Sequence, residues 1–118
     1  MMRSLRLFIM VALVCGFFAS TALARNVQVT IANKTGKTMN YLYISETGVN
    51  SWEDDILGVE YLGIRTLEHG YHCEFLMDDG PTWDLRAEFR GGGYQEYYGI
   101  DFKSCTHITL NASNATCE

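Results

Sequence analysis

From Thr82 to Arg90 the chain alternates without a break. Trp83, Leu85, Ala87 and Phe89 fall on one parity, and Asp84, Arg86, Glu88 and Arg90 on the other. A repeat of two is the period of a β-strand, whose successive side chains point to opposite faces. A helix would scatter the same residues around its circumference. An apolar row backed by a row of alternating charge requires a sheet with one dry face and one wet face, the arrangement of antiparallel β-structure.

The rest of the chain is punctuated to match. Val27, Val29 and Ile31 alternate with Gln28, Thr30 and Ala32, and Asn33-Lys34-Thr35-Gly36-Lys37 reads as a turn. Met39 to Ser45 is apolar on both parities, the pattern of a strand covered on both sides. Further strands are expected at Tyr61–Leu67, Tyr71–Met77, Tyr94–Ile100 and Thr106–Leu110. Glu68-His69-Gly70, Asp78-Asp79-Gly80-Pro81 and Gly91-Gly92-Gly93 supply the turns between them. Around Trp52–Leu57 a single helical turn is compatible with Ser51 as cap and Glu53, Asp54 and Asp55 behind it. About seven strands with turns at this spacing predict an all-β fold, a single antiparallel β-sandwich, with a small β-barrel as the alternative.

The amino terminus predicts where the domain works. Arg3 and Arg6 precede the apolar run Leu7–Ala19, and Ser20-Thr21-Ala22-Leu23-Ala24 ends in small residues at the positions a signal peptidase reads. The run is shorter than the about 20 apolar residues of a spanning helix. Residues 1–24 are therefore expected to be a cleaved secretory signal peptide, and residues 25–118 a single domain that is periplasmic or secreted, with no membrane span after cleavage. Cys15 lies in mid-core behind Val14, which does not suit a lipoprotein site. Losing Arg3 and Arg6 takes the formal charge from −5 to −7. Such a balance disfavours nucleic acid and anionic lipid, which need clustered Lys and Arg, and favours a partner with a basic surface.

Three cysteines remain after cleavage, and in an oxidising compartment two should pair. Cys73 with Cys105 is the preferred pair because it ties a central strand to the last one; Cys105 with Cys117 is the alternative. Asn33-Lys34-Thr35, Asn111-Ala112-Ser113 and Asn114-Ala115-Thr116 match the glycosylation acceptor pattern of a eukaryotic secretory pathway.

No catalytic constellation emerges, and an enzyme is not expected. Ser45, Ser51, Ser104 and Ser113 lie in no G-x-S-x-G elbow, and the Gly91–Gly93 run is followed by a strand pattern rather than a phosphate-cradling helix. His69, His72 and Cys73, with His107, suit zinc or copper chemically, but strand residues at these spacings face opposite ways. The stretch Glu46–Glu60 is the longest irregular one, and its candidate calcium ligands are Glu46, Asn50, Asp54 and Asp55. No other cofactor is expected. Trp52, Tyr94, Tyr97 and Tyr98 are the candidate partner-binding residues, with Tyr41 and Tyr43 beside them. Adjacent tyrosines in a strand cannot both enter one core, and exposed tyrosine gives wide contact area at low entropy cost.

Thr35-Gly36-Lys37-Thr38-Met39, Tyr41-Leu42-Tyr43-Ile44-Ser45, Ser51-Trp52-Glu53-Asp54-Asp55-Ile56-Leu57-Gly58 and Trp83-Asp84-Leu85-Arg86 together resemble a group of small exported bacterial proteins. That group carries a T-G-x-T-I…L-Y-I-S…S-W-G-x-D-x-L-G pattern and a later Y-D-L-R strand, with glycine where this chain has Glu53. The resemblance covers most of residues 25–118, implies a β-fold and export, and transfers no catalytic residues. The expected function is a small acidic interaction module, inhibitor- or immunity-like, with a calcium-binding module at residues 46–55 as the alternative.

Overall fold

The computed structural model describes residues 26–118. The expected signal peptide, its cleavage site and Cys15 lie outside the described residues. Among the described residues eight strands form: β1 Asn26–Asn33, β2 Met39–Glu46, β3 Asp54–Asp55, β4 His72–Asp78, β5 Trp83–Phe89, β6 Tyr94–Ile100, β7 His107–Leu110 and β8 Ala115–Cys117. They make two four-stranded sheets, β4-β1-β7-β8 and β3-β2-β5-β6, which pack as a sandwich and do not close into a barrel. The fold is thus the expected all-β sandwich. Its one departure from antiparallel order is β1 beside β7, which run parallel with Ile31 opposite Ile108.

The core is where the two inner rows meet. Val29 and Ile31 of β1, Leu42 and Ile44 of β2, Leu85 and Ala87 of β5, and Ile108 and Leu110 of β7 are buried, and Phe102 joins them at 1 % exposure. On β5 the expected parity holds for Leu85, Ala87 and Phe89, while Trp83 is half-buried at the strand's start and donates its indole N–H to the Asp78 carbonyl at 2.9 Å. Strand β2 departs from the sequence reading. At Tyr41 and Tyr43 it is covered on one side only, though Ser45 beyond them is buried, and a register shift between Met39 and Tyr41 lets Met39 and Leu42 both turn inward. Tyr41 and Tyr43 are left on the open side, their rings stacked at 5.6 Å.

Residues 61–67 do not form the expected strand. Gly63 and Arg65 take left-handed φ values of 70° and 72°, which fold the segment back onto β3. The Leu62 N–H reaches the Ile56 carbonyl and the Arg65 N–H the Leu57 carbonyl. Only Leu67 behaves as strand, in an isolated bridge to Met39. Around Trp52–Leu57 the short strand β3 replaces the helical turn, and the N–H of Ser51 bonds back to the Ser45 hydroxyl at 3.0 Å.

The preferred disulfide is also corrected. Cys105 bonds to Cys117, with Cα atoms 6.0 Å apart, and Cys73 is a free thiol buried in the core. The sheet order explains the choice. Strand β1 lies between β4, which carries Cys73, and β7, which follows Cys105, a gap of two strand spacings or roughly 10 Å. That exceeds the Cα separation of about 7 Å that a disulfide spans. Strand β8 returns antiparallel beside β7, placing Cys117 opposite Ile108 and within reach of Cys105. The first glycosylation match is corrected as well: Asn33 is fully buried, its Nδ2 donating to the carbonyls of Lys37 and Leu67.

Candidate binding surface

Two carboxylates organise the loops at the two sides of the β3-β2-β5-β6 sheet, and both come from the short motifs of the sequence. Asp55 lies opposite Tyr43 on β3, and its Oδ1 accepts the backbone N–H of Leu42 at 2.9 Å and of Leu57 at 3.1 Å. This closes the chain around β3 and carries Ile56 and Leu57 into the core. Gly58 completes the turn. A Cβ there would stand 3.2 Å from the Asp55 carbonyl oxygen and 3.3 Å from Oδ2, so the S-W-x-x-D-x-L-G motif encodes a folded turn. Burial raises the Asp55 carboxyl above its usual range, the two N–H donors oppose the shift, and Glu88 adds to it.

Asp84 plays the matching role on β5. Expected to face solvent, it is 2 % exposed because a loop and a neighbouring strand close over it. Its Oδ1 accepts from the Thr47 hydroxyl at 3.0 Å and the Gly99 N–H at 2.9 Å, and its Oδ2 from the Gly48 N–H at 3.3 Å. Parity alone could not reveal this, since the covering groups come from residues 47–48 and 99.

Two of the four candidate calcium ligands already hold groups of the protein through one oxygen each. Asp55 holds two backbone N–H groups through Oδ1, and Asp54 accepts the Tyr61 hydroxyl at 3.0 Å. Glu46 and Asn50 are exposed, Asn50 in a left-handed conformation at φ 56°. Among the described residues no group of three or more His, Cys, Asp or Glu could hold a metal ion. His69 and His72 are also separated in role, for His69 Nδ1 accepts the Gly36 N–H at 3.0 Å while His72 lies beside Glu74 on β4.

What the fold does bring together is an open face on β2, β5 and β6. The strand registers set two rows side by side: Asp55, Tyr43, Arg86 and Glu96 in one, and Tyr41, Glu88 and Tyr94 in the other. Arg86 is the hub. It donates to Glu88 at 3.0 Å and to Glu96 at 2.6 Å, and its guanidinium lies 3.8 Å from the centre of the Tyr94 ring. The Tyr98 hydroxyl donates to Glu96, so the two acids and two tyrosines are held by one network. Tyr41, Tyr94 and Tyr98 remain 45 %, 57 % and 64 % exposed. Burial, then Glu88 and Asp55, push the Tyr43 phenol above its ordinary value.

Of the tyrosines singled out from sequence, Tyr94 and Tyr98 belong to this face. Tyr97, of opposite parity, points into the core and donates its hydroxyl to the Asn111 carbonyl at 2.6 Å. Trp52 is half-buried in the loop before β3 and joins neither group. Arg86 was legible only as one charge in an outward row; its role as hub depends on Glu96, which comes from the next strand.

Fold and surface together define a small all-β sandwich with one open, tyrosine-bearing sheet face. No family model, curated protein or solved structure matches the chain.

Proposed function

We propose that this chain is an exported interaction module that docks a protein partner of basic surface, in the manner of an inhibitor or immunity protein, and that it works in the periplasm or outside the cell without catalysing a reaction. The observation that carries this reading is the Arg86 network. Tyrosine and arginine dominate the energetics of protein interfaces, most of all where their side chains are already ordered before binding. Here Arg86 is braced by Glu88 and Glu96 and stacked on Tyr94, with Tyr41 and Tyr98 exposed beside it. The acidic balance of the chain steers a cationic partner toward it and away from polyanions.

The test replaces one residue at a time with the photo-crosslinking analogue p-benzoylphenylalanine, at Tyr94 on this face and at Leu76 on the other sheet. A specific basic protein is expected to crosslink from position 94 and not from 76. With the purified pair, the Arg86→Ala/Tyr94→Ala variant should weaken binding by at least about 30-fold, a loss of about 2 kcal/mol. Equal crosslinking from both faces, or unchanged affinity in the double variant, refutes the assignment.

A further inference from the structure

At the β3 edge of the open face lies a concave feature that shares Tyr41 and Asp55 with it. A cleft of about 310 Å³ opens between β2 and the folded-back segment after β3, lined by Asn40, Tyr41, Asp55, Gly58, Val59 and Arg65. Its size falls at the lower end of small-molecule sites. Three features distinguish it from an ordinary surface dent. Asp55 is held rigidly, because Oδ1 accepts two backbone N–H groups, while Oδ2 receives no hydrogen bond among the described residues. Gly58 keeps Oδ2 open, since any side chain there would place its Cβ 3.3 Å from that oxygen. Arg65 lines the same cleft, its backbone held by its own N–H on the Leu57 carbonyl at a left-handed φ that few side-chain-bearing residues adopt.

Asp55 and Arg65 thus offer opposite charges to one cleft, and neither has an ion pair among the described residues. The Tyr41 ring and the exposed Val59 side chain supply apolar wall, and Asn40 an amide. A simple cation would meet Arg65 and a simple anion would meet Asp55. A molecule carrying both charges satisfies Asp55 and Arg65 together.

We propose that this cleft binds a small zwitterion of the free α-amino-acid kind, with its ammonium on Asp55 Oδ2, its carboxylate on the Arg65 guanidinium and its side chain against Tyr41 and Val59. Each contact is a charge-assisted hydrogen bond or an apolar contact of ordinary strength. The cleft shares Tyr41 and Asp55 with the edge of the partner-docking face, but its reading does not use the Arg86 network.

The experiment is a ¹H–¹⁵N NMR titration of residues 25–118 with three probes: L-leucine, L-leucinamide, which lacks the anion, and N-acetyl-L-leucine, which lacks the cation. L-Leucine should shift the amide signals of Tyr41, Gly58, Val59 and Arg65 saturably, and each singly charged analogue should bind at least about 10-fold more weakly. Asn at position 55 can still accept both N–H groups through its oxygen, so Asp55→Asn should abolish the response to leucinamide while sparing acetyl-leucine. Arg65→Gln should do the reverse. The proposal is overturned if L-leucine leaves these signals unmoved at about 50 mM, or if all three probes bind alike. The wild-type panel decides the matter alone should either variant fail to fold.

Discussion

Asp55 Oδ1 accepts the N–H of Leu42 at 2.9 Å, so a side chain of the shortest strand caps the backbone of its neighbour at the point where the ladder between them ends. The same oxygen takes the Leu57 N–H, and the turn to Gly58 depends on both bonds. Asp55→Ala leaves two N–H groups without their acceptor and should cost about 2 kcal/mol in urea unfolding, whereas Asp55→Asn, which keeps an oxygen in place, should cost under about 1 kcal/mol. Burial holds the folded-state pKa of Asp55 above its unfolded value. The folded state therefore binds the proton more tightly, and Asp55 contributes more stability as pH falls through the carboxylate range. Stability of the wild type relative to Asp55→Asn should rise between pH 7 and pH 4; a constant difference would remove the desolvation argument.

Disulfide Cys105–Cys117 joins residues separated by 12 positions. In the chain-entropy model a loop of that length is worth about 3 kcal/mol. Strand β8 has only three residues on the edge of its sheet, so Cys105→Ser/Cys117→Ser should lower unfolding free energy by about 2–3 kcal/mol while the sandwich persists. Amide exchange is the second readout. Thr116 and Cys117 should lose protection in the double variant, and Val29 and Ile31 should keep it.

Cys73 is buried at 5 % exposure opposite Ile31, and burial, with a smaller push from Glu74, raises its thiol to about 12. The thiolate is the reactive species, and burial leaves very little of it at neutral pH. In residues 25–118, Ellman's reagent at pH 8 should leave Cys73 unmodified over hours in the native state and titrate this one thiol in urea. Rapid native labelling would place Cys73 outside the core.

Tyr97 crosses from β6 to the Asn111 carbonyl before β8, joining the two sheets by one hydrogen bond. Tyr97→Phe should cost about 1 kcal/mol. Burial raises its phenol to about 12. The folded state keeps that proton after the unfolded chain has lost it, so the fold loses this contribution as pH rises from about 10 to 12. Absorbance at 295 nm should show a tyrosine phase delayed beyond about pH 10 in the folded protein, and Tyr97→Phe should shrink that phase.

The sequence by itself determined the β class, the positions of β1, β2, β4, β5, β6 and β7, and the opposite parity of Tyr97 and Tyr98, because a period of two is written in consecutive residues. Tertiary structure alone decided which strands became neighbours. The parallel contact of β1 with β7, the return of β8 and hence the pairing of Cys105 with Cys117 rest on hydrogen bonds between distant segments. The burial of Asp84 beneath Thr47, Gly48 and Gly99, and the folding of residues 58–65 onto β3, have the same origin. Local pattern fixes which way a side chain points from its own strand. What covers it, and what it can grip there, depends on chain that arrives from elsewhere in the sequence.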